Sequence, residues 1–384
     1  MVFSNALLVF MISLQFGMYD LMIDNTLKSF TGHVQVQAPG YKDEQKIRQV
    51  VPGADALADT LRTALGIESV AVRSAAFALL SSEDRSYGVQ LFGIDPDYET
   101  RVSSIPGLVV EGRYPTQRDA QEIVIGDVLA RNLRVELGDE ITLLGSGRDG
   151  SFAAAVATVI GIFNSGVAEI DRNIAELPIG FFNDVFYMED AAHSVVVLAP
   201  ALSAVEGYVQ QIESQLPAGE TLVVHDWEAL QPGLRQAITS DMTSAWFTYI
   251  VLIVLVAFSV LNTLLMSVLE RTREFGVMLA LGVKPAVLAR LVAMETLMMA
   301  LLGLAFGVVL GWALSSYLSE VGFAYPGMDE LGARFNMPGR MYPEVSLLSL
   351  LWGPAVVMLG TLLAAVYPAL RLFRLAPVEA MRAV

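Results

Sequence analysis

The sequence predicts an α-helical membrane protein with four transmembrane helices and an α+β domain inserted between the first and second of them. Of its 384 residues, 54% are hydrophobic, and the mean hydropathy is +0.54. These values are too high for an ordinary soluble domain. Four segments also carry no charged side chain and are close to the roughly 20 apolar residues that a helix needs to cross a bilayer. They are residues 1–19, 242–269, 296–319 and 345–370.

The first of these segments is the shortest, and a cleaved signal peptide is the alternative interpretation. It has no basic n-region and no A-x-A-like cleavage site, and a signal peptide needs both. We therefore expect a retained span. Residues 17–28 keep apolar side chains at helical spacing, so they predict a stalk helix that continues the span outside the membrane.

The distribution of lysine and arginine predicts the orientation. Residues 270–295 hold four basic and three acidic side chains, a net of +1, and residues 371–384 hold three and one, a net of +2. Residues 320–344 hold two basic and four acidic side chains, a net of −2. Because basic loops stay in the cytoplasm, we expect a cytoplasmic loop 270–295, a periplasmic loop 320–344 and a cytoplasmic tail 371–384. The N-terminus is then cytoplasmic, and the segment after the first span is outside.

The external segment is acidic and has no cysteine. Apart from the three stretches counted above, the chain holds 15 basic and 32 acidic residues, a net of −17. This balance disfavours nucleic-acid binding, which needs basic patches. It is typical either of plain solubility or of a surface that attracts cationic partners. With no cysteine in the chain, the domain depends on its hydrophobic core, and about 220 residues suffice for one.

Alternating and helical patterns predict an α+β domain of two lobes. Residues 227–238 predict a second stalk helix that leads into the second span and continues unbroken to about residue 281. The two stalks bracket the domain. Strands are predicted at 33–37, 70–78, 87–93, 123–126, 140–144, 153–163, 194–198 and 221–224, and helices at 55–65, 128–134, 181–187 and 205–216.

The sequence offers no catalytic residue, no metal site and no nucleotide site. Its three histidines, His33, His193 and His225, are far apart, and there is no HExxH motif. None of the four lysines stands in a G-x-x-x-x-G-K-[ST] loop, which would cradle phosphates. Any ATP and Mg²⁺ must therefore be bound by another subunit.

Two features of the predicted spans point to helix packing. Gly303, Gly307 and Gly311 repeat every four residues in the third span, and small residues at that spacing let another helix approach closely. The alternative is that glycine is simply common in membrane helices. Four polar residues share one face of the second span and predict either hydrogen bonds between helices or the lining of a substrate cavity. They are Ser259, Asn262, Thr263 and Ser267.

The loop between the second and third spans predicts a helix–turn–helix. It reads ERTREFGVMLALG from residue 270, and Lys284 and Pro285 follow shortly after. Gly282 predicts a left-handed helix stop, and Pro285 suits the first turn of the next helix. The apolar residues after the charged start need lipid headgroups or a partner protein to cover them. They are Phe275, Val277, Met278, Leu279 and Leu281.

These residues resemble the MacB/FtsX-type ABC transporter permease family. The family's E-R-x-x-E-[FI]-G run, A-x-G turn, coupling helix and glycine-rich third span are similar to residues 270–311 here, and its closing P-V-E-A-L-R signature is similar to residues 377–382. FGIDP at 92–96, IGDVLA at 125–130 and LGD at 137–139 resemble the family's periplasmic core domain. GHVQVQAPGY, from residue 32, is most similar to the LolC/LolE-like, lipoprotein-releasing branch. Relatives usually begin with a basic stretch, which this sequence lacks.

The resemblance implies a non-catalytic, multi-pass permease subunit in the bacterial inner membrane. It implies a dimer of identical or paralogous permeases that binds separate ATPase subunits, which hold the ATP and Mg²⁺. It also implies contact with membrane lipid and a periplasmic carrier or adaptor, and no nucleic acid. ATP-driven closure of the ATPases would move the coupling helix, and the stalks would carry that motion outward. The ATPase-coupling residues would be Glu270, Arg271, Arg273, Glu274, Gly282, Lys284 and Arg290.

On this interpretation the chain has four parts. Residues 1–28 are the first transmembrane helix and stalk, 29–225 the periplasmic core domain, 226–244 the second stalk, and 245–384 an FtsX-like domain with three spans. Extraction of a lipoprotein or other lipidated molecule is the favoured activity. The alternatives are efflux of small molecules or peptides with an adaptor, and cargo-free mechanotransmission to a cell-wall hydrolase.

Overall fold

Long apolar helices stand at both ends of the chain in the computed structural model, which describes residues 1–217, 221–324 and 340–372. The α-helices, in chain order, are α1 (Val2–Thr26), α2 (Tyr41–Glu44), α3 (Ala54–Leu65), α4 (Pro96–Val102), α5 (Asp127–Leu133), α6 (Ala168–Asn173), α7 (Ile179–Phe186), α8 (Val205–Gln215), α9 (Trp227–Leu230), α10 (Pro232–Glu270), α11 (Thr272–Ala280), α12 (Pro285–Val321) and α13 (Leu347–Leu372). Within the described residues, α1, α10, α12 and α13 are long and apolar enough to cross a membrane. Each contains most of one uncharged segment of the sequence.

The chain divides into a helical unit and an α+β unit. In the described residues, the helical unit comprises 1–21, 236–324 and 340–372, and the α+β unit comprises 22–235. Both boundaries fall inside long helices, α1 and α10. The predicted helical continuation of the first span is confirmed, because α1 runs past the apolar segment to Thr26.

The helical unit has a buried apolar centre where three helices meet. Leu8 and Ile12 of α1, Tyr249 of α10 and Val357 of α13 form it. Gly353 lets α13 approach α1, because a Cβ at this position would lie 2.9 Å from Ile12 Cδ1. The packing of small against branched residues lets these helices approach closely.

A single sheet runs through the α+β unit. The neighbours, in order, are β10-β1-β9-β2-β3-β8-β5-β7-β4, and β6 pairs with both β2 and β7. The pairs β3/β8 and β5/β7 are parallel. The strands are β1 (Val34–Gln37), β2 (Val70–Ser81), β3 (Ser86–Ile94), β4 (Val109–Gly112), β5 (Glu122–Gly126), β6 (Glu140–Ser146), β7 (Phe152–Phe163), β8 (Ile174–Pro178), β9 (Ser194–Val197) and β10 (Val223–Asp226).

Strand β6 closes part of this sheet into a ring with β2, β3, β8, β5 and β7. Residues of the ring, α5 and α7 form the larger buried cluster, which includes Leu91, Ile125 and Phe182. Beyond β2, the sheet continues through β9, β1 and β10, and α3 and α8 cover it in a second cluster that includes Leu61 and Ile212. The two predicted lobes correspond to these two clusters, but one sheet connects them.

The predicted strands and helices of the α+β unit are confirmed to within a few residues. The sequence patterns missed α2, α4, β4, α6 and β8, all shorter than two full turns or six strand residues. The prediction of an unbroken second stalk is wrong. Helix α9 ends at Leu230 and α10 begins at Pro232, because Gln231 between them has φ −123° and ψ 63° and because proline cannot continue a preceding helix without losing its N–H bond.

Candidate functional site

Residues 270–295, called the hairpin below, connect α10 to α12. Helix α10 ends at Glu270, and one non-helical residue, Arg271 (φ −94°, ψ 7°), precedes α11. The predicted continuous helix to about residue 281 is therefore wrong at Arg271. The interruption falls where the long apolar run ends and charged side chains begin.

The turn of the hairpin follows from three residues. Gly282 has φ +94°, and its N–H donates to Leu279 O at 3.0 Å, while Val283 N–H donates to Met278 O at 3.1 Å. This pair of bonds is the Schellman arrangement, which satisfies carbonyls at a helix end and requires a left-handed residue. Lys284 is extended, and Pro285 starts α12, where its missing N–H costs nothing.

Phe275 holds the two arms of the hairpin together. Its side chain is fully buried against Val268 of α10 and against Leu288 and Val292 of α12. Met278 and Leu279 are half-buried in the same cluster. The expectation that all five apolar residues need an outside partner is therefore wrong for these three, because α12 folds back over them.

Two apolar side chains of that group stay uncovered. Leu281 is 80% exposed and Val277 is 46% exposed, and on the facing arm Val287 is 51% exposed. They lie at and near the turn of the hairpin. A rigid turn that displays apolar side chains is typical of a contact surface.

Arg271 ties α10 and α11 to α12. Its guanidinium donates to Glu295 Oε2 at 3.1 Å and to Glu274 Oε2 at 3.4 Å, and lies 5.4 Å from the ring centre of Phe275. The three charged side chains are 37–66% exposed. Exposed pairs of this kind contribute about 0–1 kcal/mol each. Two of the predicted coupling residues, Arg271 and Glu274, are thus already paired within the chain.

The other charged residues predicted for coupling have no such partners. Within the described part of the chain, these four side chains are exposed and make no ion pair. Three of them are basic, so the outer surface of the hairpin is positive. They are Glu270, Arg273, Lys284 and Arg290.

The polar face of α10 leads down to the hairpin. Thr263 Oγ1 donates to Ser259 O of the same helix at 3.0 Å, and none of the four polar side chains bonds to another helix among the described residues. Ser259, Asn262 and Thr263 are exposed in the single chain. Thr263 and Ser267 line a cavity of about 110 Å³ together with the Arg271–Glu295 pair.

Three glycines of α12 pack against α1 in register. A Cβ at any of them would lie closer to an α1 side chain than van der Waals contact allows. Asn5 Nδ2 also donates to Gly303 O at 3.2 Å across this seam. The two helices run parallel along it. The pairs are Gly303 with Met1, Gly307 with Asn5, and Gly311 with Val9.

A polar network that the sequence analysis missed joins α1 to α10. Tyr19 OH donates to Asp241 Oδ2 at 2.7 Å, Gln15 Nε2 donates to Tyr19 OH at 2.6 Å, and Tyr249 OH donates to Gln15 Oε1. Asp241 is the last charge before the apolar run of α10. The position of Asp241 directly before this apolar run is the one feature of the sequence that could have indicated the network, since polar side chains in membrane helices form hydrogen bonds with partner helices.

The three histidines of the α+β unit are buried or half-buried. His193 accepts a bond from Ala75 N at 3.0 Å, and burial lowers its pKa to about 4, so it is neutral at pH 7. Burial also lowers the pKa of His33 and of His225. Among the described residues, no three His, Asp or Glu side chains come together as metal ligands would.

Two family descriptions match the chain. The MacB-like periplasmic core domain matches residues 1–215, and the FtsX-like permease C-terminal domain matches residues 246–377. The first alone covers more than half of the 384 residues.

Curated relatives match over most of their length. The lipoprotein-releasing system transmembrane protein LolC of Xylella fastidiosa (strain Temecula1 / ATCC 700964) is 24% identical over 320 residues, covering 79% of this chain and 75% of that protein. The corresponding LolE of Haemophilus influenzae (strain ATCC 51907 / DSM 11121 / KW20 / Rd) is 23% identical over 315 residues, covering 79% and 74%. The solved periplasmic region of MacB from Actinobacillus actinomycetemcomitans is 16% identical, with a TM-score of 0.38, covering 53% of this chain and 93% of that one.

Apolar helices, an inserted α+β unit and a hairpin between the second and third of those helices define a membrane permease of the ABC transporter class. More particularly, the chain belongs to the MacB/FtsX-type permease family, and LolC and LolE proteins are among its relatives. Membership implies, in general terms, an ATPase partner and a dimeric arrangement.

Proposed function

We propose that this chain is the permease subunit of a transporter that extracts lipoproteins or other lipidated molecules from the bacterial inner membrane. ATP and Mg²⁺ are bound by a separate ATPase subunit. Two permeases, identical or paralogous, form the dimer, and a periplasmic carrier receives the cargo. The lipoprotein-releasing names of the LolC and LolE relatives, which match along 79% of the chain, support this cargo class.

The hairpin is the observation that carries the proposal. Phe275 and the Arg271–Glu295 pair fix its two arms to each other, so a push on its turn moves α10 and α12 together. Leu281 and the exposed charges Arg273 and Lys284 are left free for the ATPase. We assign the ATPase contact to these residues and an internal clamping role to Arg271 and Glu274.

The direction of the helices supports the proposed topology of four spans. Because α1 runs parallel to α12 along the glycine seam, residue 1 and the start of α12 at Pro285 belong on one side of the membrane. We assign that side to the cytoplasm, because loop 270–295 is basic. The α+β unit then follows α1 on the periplasmic side.

The polar face of α10 supports the dimer. Ser259, Asn262 and Thr263 are exposed in the single chain, and polar side chains at membrane depth need a partner or a water-filled cavity. We place the second permease opposite this face, with the lipidated cargo between the two chains.

The first experiment is purification of the tagged chain from membranes in the presence of a non-hydrolysable nucleotide, with mass spectrometry of the bound proteins and lipids. A separate ATPase together with acylated lipoproteins is the expected result. An ATPase with a periplasmic adaptor would replace extraction by efflux, and one with a wall hydrolase would replace it by mechanotransmission. Absence of any ATPase would overturn the proposal.

A second experiment tests the hairpin directly. We expect Leu281→Ser to weaken retention of the ATPase about tenfold, because a side chain buried at an interface contributes roughly 1–2 kcal/mol. The matched control is Val110→Ser, a similarly exposed apolar residue of β4 (80% and 62% exposed) outside the hairpin. Equal retention in the two variants would contradict the assignment.

A further inference from the structure

The end of the first stalk is built into the α+β unit. Helix α1 passes into a π-helical turn, Leu27–Thr31, and Gly32 closes it with φ +72° and an N–H bond to Leu27 O at 2.8 Å. Carbonyl groups at a helix C-terminus lack partners within the helix. They must therefore find donors elsewhere, and a wider π turn changes the direction in which they point.

Three consecutive carbonyls of this turn receive donors from the α+β unit. Two of the donors come from the residues that follow α4, and the third is an arginine of β2. Ser104 N–H donates to Lys28 O at 2.8 Å, Ser103 Oγ donates to Ser29 O at 3.0 Å, and the Arg73 guanidinium donates to Phe30 O.

Arg73 is itself held on two sides. Its side chain is 3% exposed and forms a two-bond ion pair with Glu99, which is fully buried. The guanidinium lies 4.3 Å from the ring centre of Phe30, and that ring packs edge-on against Phe92 with centres 4.2 Å apart. A buried charge pair of this geometry resists rearrangement, because separating it would leave an uncompensated charge.

A second buried carboxyl group, that of Glu176, lies near the Arg73–Glu99 pair. Glu176 Oε2 accepts a bond from Tyr114 OH at 2.7 Å, and burial, with a smaller effect of Glu99, raises the pKa of Glu176 to about 8. Burial also raises the pKa of Tyr114. Near pH 7, Glu176 is therefore mostly protonated and adds no charge beside the Arg73–Glu99 pair.

The second stalk is attached differently. It is interrupted at Gln231, and its contacts near the break involve half-buried or exposed side chains. Gln231 Nε2 donates to Thr31 Oγ1 at 3.0 Å, and Lys42 Nζ donates to Ala229 O at 3.3 Å. Glu228 and Arg235 form an exposed ion pair across the break at 3.1 Å. Such contacts are weak and easily exchanged.

We propose that the Arg73–Glu99 pair and the capped π turn form a fixed joint, through which the first stalk drives the α+β unit, while the break at Gln231 is the hinge of the second stalk. Arg73 is a positioning residue in this scheme, and it contacts neither cargo nor nucleotide. The inference rests on the proposed function, since it describes how motion that starts at the hairpin reaches the α+β unit.

Spin labels can test the joint in the complete complex, because the chain has no cysteine of its own. One pair, at positions 28 and 59, spans the joint, and a second pair, at positions 59 and 240, spans the hinge. All three positions are exposed. We expect a narrow 28–59 distance distribution that is the same with and without ATP. We expect a 59–240 distribution that changes with ATP, because the bond between Tyr19 of α1 and Asp241 of α10 opens when the second stalk bends. A 28–59 distance that changes with ATP while the 59–240 distance stays constant would overturn the proposal.

Variants show whether Arg73 fixes the joint. Phe30→Ala combined with Ser103→Ala removes part of the cap and leaves the ion pair intact, so it avoids a buried unpaired charge. We expect a broader 28–59 distribution and about a tenfold lower yield of cargo released per ATP, the change that losing about one hydrogen bond and its packing produces. Arg73→Lys should restore part of the distribution width and cargo yield that Arg73→Ala loses. Lysine keeps the positive charge but lacks the planar guanidinium that forms two parallel hydrogen bonds. An unchanged width and yield in both the cap variant and Arg73→Ala would overturn the joint.

The failure of the joint and the failure of the proposed function give different results. The width of the 28–59 distribution measures the joint without any cargo or ATPase. A narrow distribution that broadens in the cap variant, in a chain that binds no ATPase, would retain the joint and remove the transport role. If cargo is released in an ATP-dependent way but the 28–59 distribution is broad in the unchanged chain, the transport role would be retained and the joint removed.

Discussion

Two clusters of the same composition lie in different units of this molecule. Each has one arginine, two glutamates and a phenylalanine whose ring lies under the guanidinium. In the hairpin, Arg271 pairs with Glu274 and Glu295 beside Phe275, and the charged side chains are 37–66% exposed. In the α+β unit, Arg73 pairs with Glu99 at 3% and 0% exposure, with Glu176 buried nearby.

Burial gives these two clusters different mechanical properties. An exposed pair contributes about 0–1 kcal/mol and exchanges readily with water or with another protein. Breaking a buried pair by removing one partner costs about 3–5 kcal/mol. The ion pairs of the hairpin cluster can therefore exchange when a partner docks, while buried Phe275 keeps the two arms together. The Arg73 cluster keeps its geometry. The same residue types serve as a reversible contact in one unit and as a permanent fastening in the other.

The largest expected difference comes from one chemical change made in both clusters. Glu99→Gln leaves Arg73 without its buried counter-charge and should destabilise the α+β unit by about 3–5 kcal/mol. Glu274→Gln, at a side chain that is 66% exposed, should change stability by less than about 1 kcal/mol. Hydrogen exchange of β2 and α11 in the intact chain measures both. Equal losses would show that burial does not distinguish the clusters.

The pH dependence sharpens the comparison within the buried cluster. The pKa of Glu176 is about 8 in the folded protein against 4.5 as its ordinary value, so the folded state keeps a proton that the unfolded state loses. Stability from this group is complete below pH 4.5 and is lost as pH rises through about 8, by an amount of the order of a few kcal/mol. Glu176→Gln, which cannot ionise, should abolish the decline between pH 6.5 and 8.5.

That pH window also separates Glu176 from the buried histidine. The pKa of His193 falls from 6.5 to about 4 on burial, so its contribution is lost only as pH falls below 6.5. Denaturant unfolding of the unchanged chain and of the Glu176→Gln variant at several pH values measures how the stability of each depends on pH. A decline of the same slope in the Glu176→Gln variant would assign the titration to another group.

The turn of the hairpin should respond to a smaller change. Gly282→Ala puts a Cβ on a residue with φ +94°, which costs about 1–2 kcal/mol. Gly233→Ala is the matched control, because a Cβ added at either glycine would meet no atom within 4 Å, but Gly233 is helical with negative φ. We expect looser hairpin amides by hydrogen exchange, and less cargo released per ATP, in the first variant alone.

The smallest change in stability accompanies a large change in coupling. Glu274→Lys places a cation beside Arg271 and should cost less than about 1 kcal/mol, because the side chain is mostly exposed. We nevertheless expect transport-linked ATPase activity to be lost, since a lysine at position 274 would repel Arg271 from α11 and so weaken the bond from Arg271 to Glu295 of α12. Normal coupled activity in this variant would remove Glu274 from the coupling site.

The sequence predicted the hairpin well because its signals are local. Gly282, Lys284 and Pro285 mark the turn, and the uncharged runs on either side mark α10 and α12. It did not predict that Phe275 is covered by Leu288 and Val292, because that contact crosses the turn and depends on how the two arms face each other.

The buried cluster was invisible for a similar reason. Arg73 is the one charged residue of strand β2, and the sequence does not show which residue would pair with that charge. The partner, Glu99, belongs to α4, a seven-residue helix too short for a periodic pattern to predict, and Glu176 interrupts the apolar pattern of β8. Short elements are placed by tertiary contacts, so the charge that they bury cannot be recognised from spacing alone.

The glycine seam between α1 and α12 sets the steps in which those helices can slide. At Gly307 and Gly311 the backbone oxygens Val2 O and Ala6 O also stand about 3 Å from where a Cβ would be, so side chains of α1 fit only over glycines. Sliding along the seam therefore has stops four residues apart, about 6 Å at 1.5 Å per residue. Any sliding of α1 along α12 would therefore proceed in steps of about 6 Å. A smaller displacement would bring side chains of α1 against residues other than glycine, so the helices would return to their starting position.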